Sequence, residues 1–299
     1  MMIGMKIQLI LLAVTIGVVA GHFLLRPATD SVESFRNALA EPVPAPTGEE
    51  GTTTEAATNT LADVSGLDAG ANDEDEDDPR DLPWIASWNA ADRSARDGQN
   101  CRPKYFEVGP NGTTIVTVSK SCESGMPHTL AGDRIVIPDS VREPARTEVI
   151  AHELVHIHQR RYPSLWLKFY RGNWDFTFAP QPPREMPVSV ITARRSNPDT
   201  WDPAGGGPWA CWRGRWWPVP VYRDPVRPRL RETETVWWDQ TTGDILREPP
   251  AAWTQFFGRP AQDEHPHEIA AVKIVAEESA TEAGRRLQTW WRSNQNPPY

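Results

Sequence analysis

Positive charge is in short supply. The chain's 31 Lys and Arg are outnumbered by 40 Asp and Glu, for a formal charge of −9. The deficit is uneven. Residues 1–79 hold three basic residues (Lys6, Arg26, Arg36) against fourteen acidic ones, about −11, so residues 80–299 carry about +2. A near-neutral body behind an acidic N-terminal third lacks the basic footprint of a nucleic-acid-binding protein, and no nucleic-acid partner is expected. Cysteine is scarce too: three residues allow one disulfide and leave one odd thiol. No internal repeat is present, which excludes a solenoid or propeller. Only one apolar run is long. Residues 7–25, IQLILLAVTIGVVAGHFLL, make about 28 Å of helix, close to the hydrocarbon thickness of a bilayer.

That run predicts an N-terminal signal anchor, residues 1–26, with the chain beyond it on the extracytoplasmic side. Cleavage after the small residues Val18-Val19-Ala20 would give a secreted protein instead. Residues 27–82 are rich in Ala, Pro, Thr, Gly, Asp and Glu and include the run Asp73-Glu74-Asp75-Glu76-Asp77-Asp78. They hold almost nothing that could build a core and read as a disordered, self-repelling spacer. The folded part is expected over residues 83–299, as an α+β domain.

Within it, Asn111-Gly112 sits between alternating apolar residues, a hairpin signal. A two-residue turn there pairs Val108 with Ile115 and Phe106 with Thr117. Extended further, the same ladder sets Cys101 opposite Cys122, within disulfide reach, with Cys211 left over. Residues 134–137 read as a short strand able to accept an extended peptide. A helix then starts near Pro144 and stops at Tyr162-Pro163. Residues 236–246, VWWDQTTGDIL, predict a second hairpin, and WWPVPVY at 216–222 reads as an edge strand at best. A long helix is expected from about Glu268 to Trp291. The fourteen Trp read first as core filling and second as a stacking surface for a glycan or peptide.

The helix ending at Tyr162 carries His152-Glu153-Leu154-Val155-His156, an H-E-x-x-H. Positions i and i+4 differ by about 40° in azimuth and about 6 Å in rise, so both histidines can bind one zinc ion. Glu153 lies about 100° round, placed to act as a general base. His158 faces elsewhere. Gln159 shares the face of His156 and is expected behind it.

Motif, helix and preceding strand together resemble the zincin superfamily of metallopeptidases. The metzincin pattern would place Gly at 159 and His at 162; this chain has Gln159 and Tyr162. The thermolysin pattern would place a Glu near Phe176, and no Glu lies between 157 and 184. What remains is His265-Pro266-His267-Glu268-Ile269-Ala270-Ala271. It resembles the N-P-x-E-x-x-A element that opens the second helix of some small Glu-type (gluzincin-like) zincins, with His265 in place of Asn. The resemblance rests on these two short elements. It implies a zincin-like domain with a small mixed or antiparallel sheet and a C-terminal helix, and Glu268 as third zinc ligand, with Ala271 leaving room for the motif helix. His267, His265, Glu264 and Glu185 stay open as rivals. Tyr162, Tyr170, Tyr222 and His267 are candidate oxyanion donors. The expected protein is a membrane-tethered zinc metallopeptidase acting on peptides or proteins. A non-catalytic, Trp-rich envelope module binding glycan or peptide, and a zinc hydrolase of non-peptide amides, are the rivals.

Overall fold

The computed structural model describes residues 82–201, 204–259 and 262–296. The apolar run at 7–25 and all but the last residue of the expected spacer lie outside the described residues. Among those described, no helix is long and apolar enough to cross a membrane. The described residues are α+β, with eight α-helices and two sheets.

Helices α1 (Leu82–Ala86) and α2 (Ala90–Arg96) open the fold. Strands β1 (Tyr105–Val108), β2 (Thr114–Val118), β3 (His128–Leu130) and β4 (Arg134–Pro138) form a mixed sheet in the order β1-β2-β4-β3, with only β2 and β4 parallel. The Asn111-Gly112 turn forms, with both residues at positive φ (55° and 70°). Its register is one residue off the expected one: Val108 pairs with Thr114 and Phe106 with Val116. The cause is Pro110. A two-residue hairpin needs an N–H at that position, which proline lacks. Gly109 N donates to Thr113 O instead, at 2.8 Å, and Pro110 bulges. Cys101 and Cys122 are disulfide-bonded, but not through a continued ladder. Cys122 begins a 3₁₀ turn, Cys122–Gly125, and Cys101 lies ahead of β1. The 134–137 strand is internal, flanked by β2 and β3, so its own edges are closed to a peptide.

Helix α3 (Ala145–Arg161) crosses this sheet. Ile150, Leu154 and Ile157, at helical spacing, pack against Ile115, Ile135 and Ile137. Pro163, in the first turn of α4 (Pro163–Trp174), separates the two helices.

The second sheet is antiparallel, in the order β5 (Phe176–Ala179), β6 (Trp209–Trp212), β7 (Trp216–Tyr222), β8 (Thr233–Asp239), β9 (Ile245–Leu246). Strand β7, the Pro-containing WWPVPVY, is central rather than an edge. It pairs with β8 over seven positions but with β6 at Trp212 alone. Pro218 and Pro220 have the same parity, so both missing donors face away from β8. On that side Arg195 N donates to Pro220 O at 2.8 Å.

Both faces of the second sheet are covered. Phe176, Ala210, Trp212 and Trp237 pack against α4, α6 (Ala251–Phe257), α7 (Pro266–Val275) and α8 (Glu282–Asn294). Trp209, Cys211, Trp217 and Trp238 pack on the other side with Val190 of α5 (Val188–Ala193). Ten of the fourteen Trp are buried and four (Trp88, Trp201, Trp216, Trp290) are half-buried, so none stands out as a platform in solvent. Aromatic packing of this kind is the core-filling role.

The helix expected over 268–291 is two helices. Glu278 accepts from Lys273 Nζ (2.5 Å) and Thr281 N (2.8 Å), and Thr281 Oγ1 caps α8 by accepting from Gly284 N at 3.0 Å. Side chains that bind nearby backbone compete with helix continuation. At Gly284 a Cβ would lie 2.4 Å from Glu278 O, so the corner requires glycine.

Burial pushes the Cys211 thiol up to about 12. The native, unreduced protein is therefore expected to give no signal with a thiol reagent at pH 8, and one thiol per chain after unfolding, since three cysteines minus the bonded pair leave Cys211. Prompt labelling of the native protein would contradict the packing of β6.

Candidate metal centre

Helix α3 presents His152, Glu153, His156 and Gln159, and the first turn of α7 presents His267 and Glu268. The two helices approach closely because Ala270 and Ala271, both fully buried, face Val155 in the same core cluster. Three donor atoms converge between them. His152 Nε2 and His156 Nε2 stand 3.1 Å apart, and Glu268 Oε2 lies 3.4 Å from the first and 3.6 Å from the second. Ligands at about 2.0–2.1 Å in tetrahedral directions are separated by about 3.3 Å, so the three atoms fit one zinc-sized ion. The His156 and Glu268 side chains are 1% and 5% exposed, and that of His152 17%, so the cluster opens to solvent on the His152 side.

Partners behind two of the three side chains, His156 and Glu268, fix their orientation. Gln159 Nε2 donates to His267 O and to Tyr170 Oη, both at 3.1 Å. A carbonyl only accepts, so the other end of the amide, Oε1, faces His156 Nδ1 at 2.8 Å. Nδ1 therefore carries the proton and Nε2 offers its lone pair to the centre, as bound imidazoles require. Asn197 Nδ2 donates to Glu268 Oε1 at 2.8 Å, leaving Oε2 to face the histidines. The carboxylates around the cluster favour positive charge there. Burial alone would keep His156 neutral, but the carboxylates of Glu268, Asp199 and Glu153 together outweigh it and raise the imidazole to about 10. Burial opposes the charge on Glu268 as well, yet the two histidines hold it well below the carboxylate range.

Glu153 lies beside this trio and outside it. It is buried, and its Oε2 has no hydrogen-bond partner among the described residues. Burial first, then the neighbouring Asp199 carboxylate, push its pKa well above the ordinary range. Asp199 Oδ1 accepts from Thr129 N (2.7 Å) and Thr129 Oγ1 (2.5 Å), and its carbonyl lies 3.2 Å from His267 Nδ1.

The remaining candidates are placed elsewhere. Glu264 is held by Arg195 at 3.0 and 3.1 Å. His265 caps α7, its Nδ1 accepting from His267 N, and Glu185 is exposed. Tyr222 donates to Asp92 at 2.9 Å, and Tyr170 accepts from Gln159. Sequence reasoning missed Asn197 and Asp199. Asn-Pro at 197–198 is a turn signal, and it forms the 3₁₀ turn Pro198–Thr200, but nothing local ties that turn to a helix forty residues away.

His158 turns away from the trio, as its azimuth requires. It accepts from Trp166 Nε1 at 2.9 Å and packs among Tyr162, Trp166 and Trp291. Burial holds it down to about 4. The unfolded chain takes up this proton near pH 6.5 and the folded protein only near 4, so stability falls with pH across that window. His158→Phe is expected to remove about 2 kcal/mol of the stability difference between pH 7 and pH 5, read by urea unfolding. An unchanged pH dependence would mean that His158 is charged in the fold.

Comparison of the chain with protein-family models, curated proteins and solved structures finds no match.

Proposed function

We propose that this chain is a zincin-type metallopeptidase of the Glu-ligand kind, hydrolysing peptide bonds at a zinc ion held by His152, His156 and Glu268. One observation carries the reading: three donor atoms at zinc-ligand separations, two of them oriented from behind, with an unpartnered buried carboxylate oxygen of Glu153 beside them. Zinc at such a site supplies a Lewis acid for the scissile carbonyl and acidifies water toward neutrality. Glu153 accepts the proton of the attacking water and delivers it to the departing amide nitrogen. Gln159 and Asn197 keep the ligand atoms directed inward throughout. The Cys101–Cys122 disulfide supports an oxidising compartment, in keeping with export of the domain behind the apolar run at 7–25. A Trp-lined binding module gains no support from side chains that are all buried or half-buried.

The test is elemental analysis of the purified full chain, stripped of loose metal, followed by a peptide library. The expected result is about one zinc per chain, as for a single catalytic site, and cleavage that chelator abolishes and zinc restores. Folded protein with neither zinc nor cleavage would sink the proposal.

A further inference from the structure

The segment 195–199 touches more of the candidate centre than its sequence announces. Asn197 sits between two carboxylates on successive turns of chain, Glu264 and Glu268. Its Nδ2 lies 2.7 Å from Glu264 Oε1 and 2.8 Å from Glu268 Oε1, one hydrogen for each. The amide cannot be turned round. Its Oδ1 accepts from Asp199 N at 3.0 Å, capping the 3₁₀ turn Pro198–Thr200. Both ends are thus assigned by their partners. The turn is itself anchored from behind. Ser196 N and Oγ donate to Asp92 at 3.0 and 2.6 Å, and Ser196 O accepts from Arg96 at 3.0 Å.

Two carboxylates could have supplied the third ligand, and both are charged neighbours of the same amide. Glu264 is taken by Arg195, with both oxygens within 3.1 Å of one guanidinium nitrogen. Among the described residues, the ion-pair contacts of Glu268 are with the two histidines, at 3.4 and 3.6 Å. Asn197 occupies one of its oxygens and leaves the second directed at His152 and His156.

We infer that Asn197 is a positioning residue for the metal centre: its amide group fixes the Glu268 carboxylate for monodentate binding and holds Glu264 back. This inference rests on the metal-centre reading above. It separates two roles that one side chain performs, the cap through Oδ1 and the donor through Nδ2. Aspartate caps as well as asparagine does, but it replaces the donor by a third carboxylate oxygen facing Glu264 and Glu268.

The experiment compares the wild type with N197A and N197D in the full chain. Zinc affinity is read by competition with a chromophoric chelator, and the thermal midpoint is read on the metal-free proteins. Losing a hydrogen-bond partner behind a ligand typically weakens metal binding about 10–100-fold. N197A is expected to show that loss. N197D is expected to lose at least as much, although its cap is intact and its metal-free midpoint stays at or above that of N197A. If N197D binds zinc like the wild type, Asn197 is only a cap and the inference fails. If the wild type itself binds no zinc, the metal-centre reading fails first.

Discussion

Glu153→Gln is expected to lower kcat about 10²–10⁴-fold, the usual contribution of a general base, while zinc content stays at one per chain. Glutamine has nearly the shape of glutamate and fills the same buried space beside His152, but it cannot accept a proton. Zinc should remain if it sits on the converging donors of His152, His156 and Glu268, whereas an ion held by the neighbouring group Glu153, His156 and Asp199 would be lost. Its setting suits proton transfer. With Oε2 buried and unpartnered, and Asp199 close by, the carboxyl holds a proton far more readily than a solvated one. The two readouts separate the possible failures. Full activity in the variant would put the base elsewhere. Loss of zinc along with activity would make Glu153 a ligand or a structural prop. Side-by-side measurement of kcat and bound zinc on one preparation decides among these.

Asp92→Ala is expected to cost about 3–5 kcal/mol of stability, the scale for removing one partner of a buried ion pair. For a folded region of this size that corresponds to a drop of roughly 10 °C in melting temperature. Asp92 is 1% exposed. Its oxygens accept from Arg96, from Ser196 N and Oγ, and from the Tyr222 hydroxyl, all within 3.0 Å. Alanine leaves Ser196 and Tyr222 donors buried without an acceptor. Arg96 keeps Glu123, which it grips at 2.7 and 2.9 Å, but the cluster loses one of its two carboxylates. Its partners come from α2, from the 196–200 segment and from β7, so the variant loosens three parts of the chain at once. Urea unfolding with an unchanged m-value would report the loss as stability alone. A loss below about 1 kcal/mol would show that water replaces the carboxylate and that the cluster is wetter than its burial indicates.

The parts of this protein that its sequence determines are those governed by local geometry. Four residues make just over one helical turn, so H-E-x-x-H places His152 beside His156, sends His158 to the opposite face and sets Gln159 behind His156, whatever the rest of the chain does. Pro163 ends α3 because it lacks an N–H and crowds the residue before it, and Asn111-Gly112 makes its turn because both residues accept positive φ. The same local chemistry shifts the hairpin by one residue, through an N–H that Pro110 lacks, and breaks the final helix at Glu278 and Thr281. Both signals lie in the sequence, beneath a stronger turn pattern in one case and a stronger helix pattern in the other.

What tertiary structure alone decides is the company kept across long separations. Over a hundred residues divide His156 from Glu268, and Glu264, His265, His267 and Glu268 offer much the same chemistry within five positions. A resemblance in a short element nominated Glu268; the fold turns it to both histidines and turns Glu264 to Arg195. The tryptophans divide the same way. Alternation along a strand says that neighbours point to opposite faces, but only the packing of helices on both sides of the second sheet buries Trp237 and Trp238 together. The physical reason is that backbone sterics act between neighbours in sequence, while ligand choice and burial depend on which distant surfaces meet.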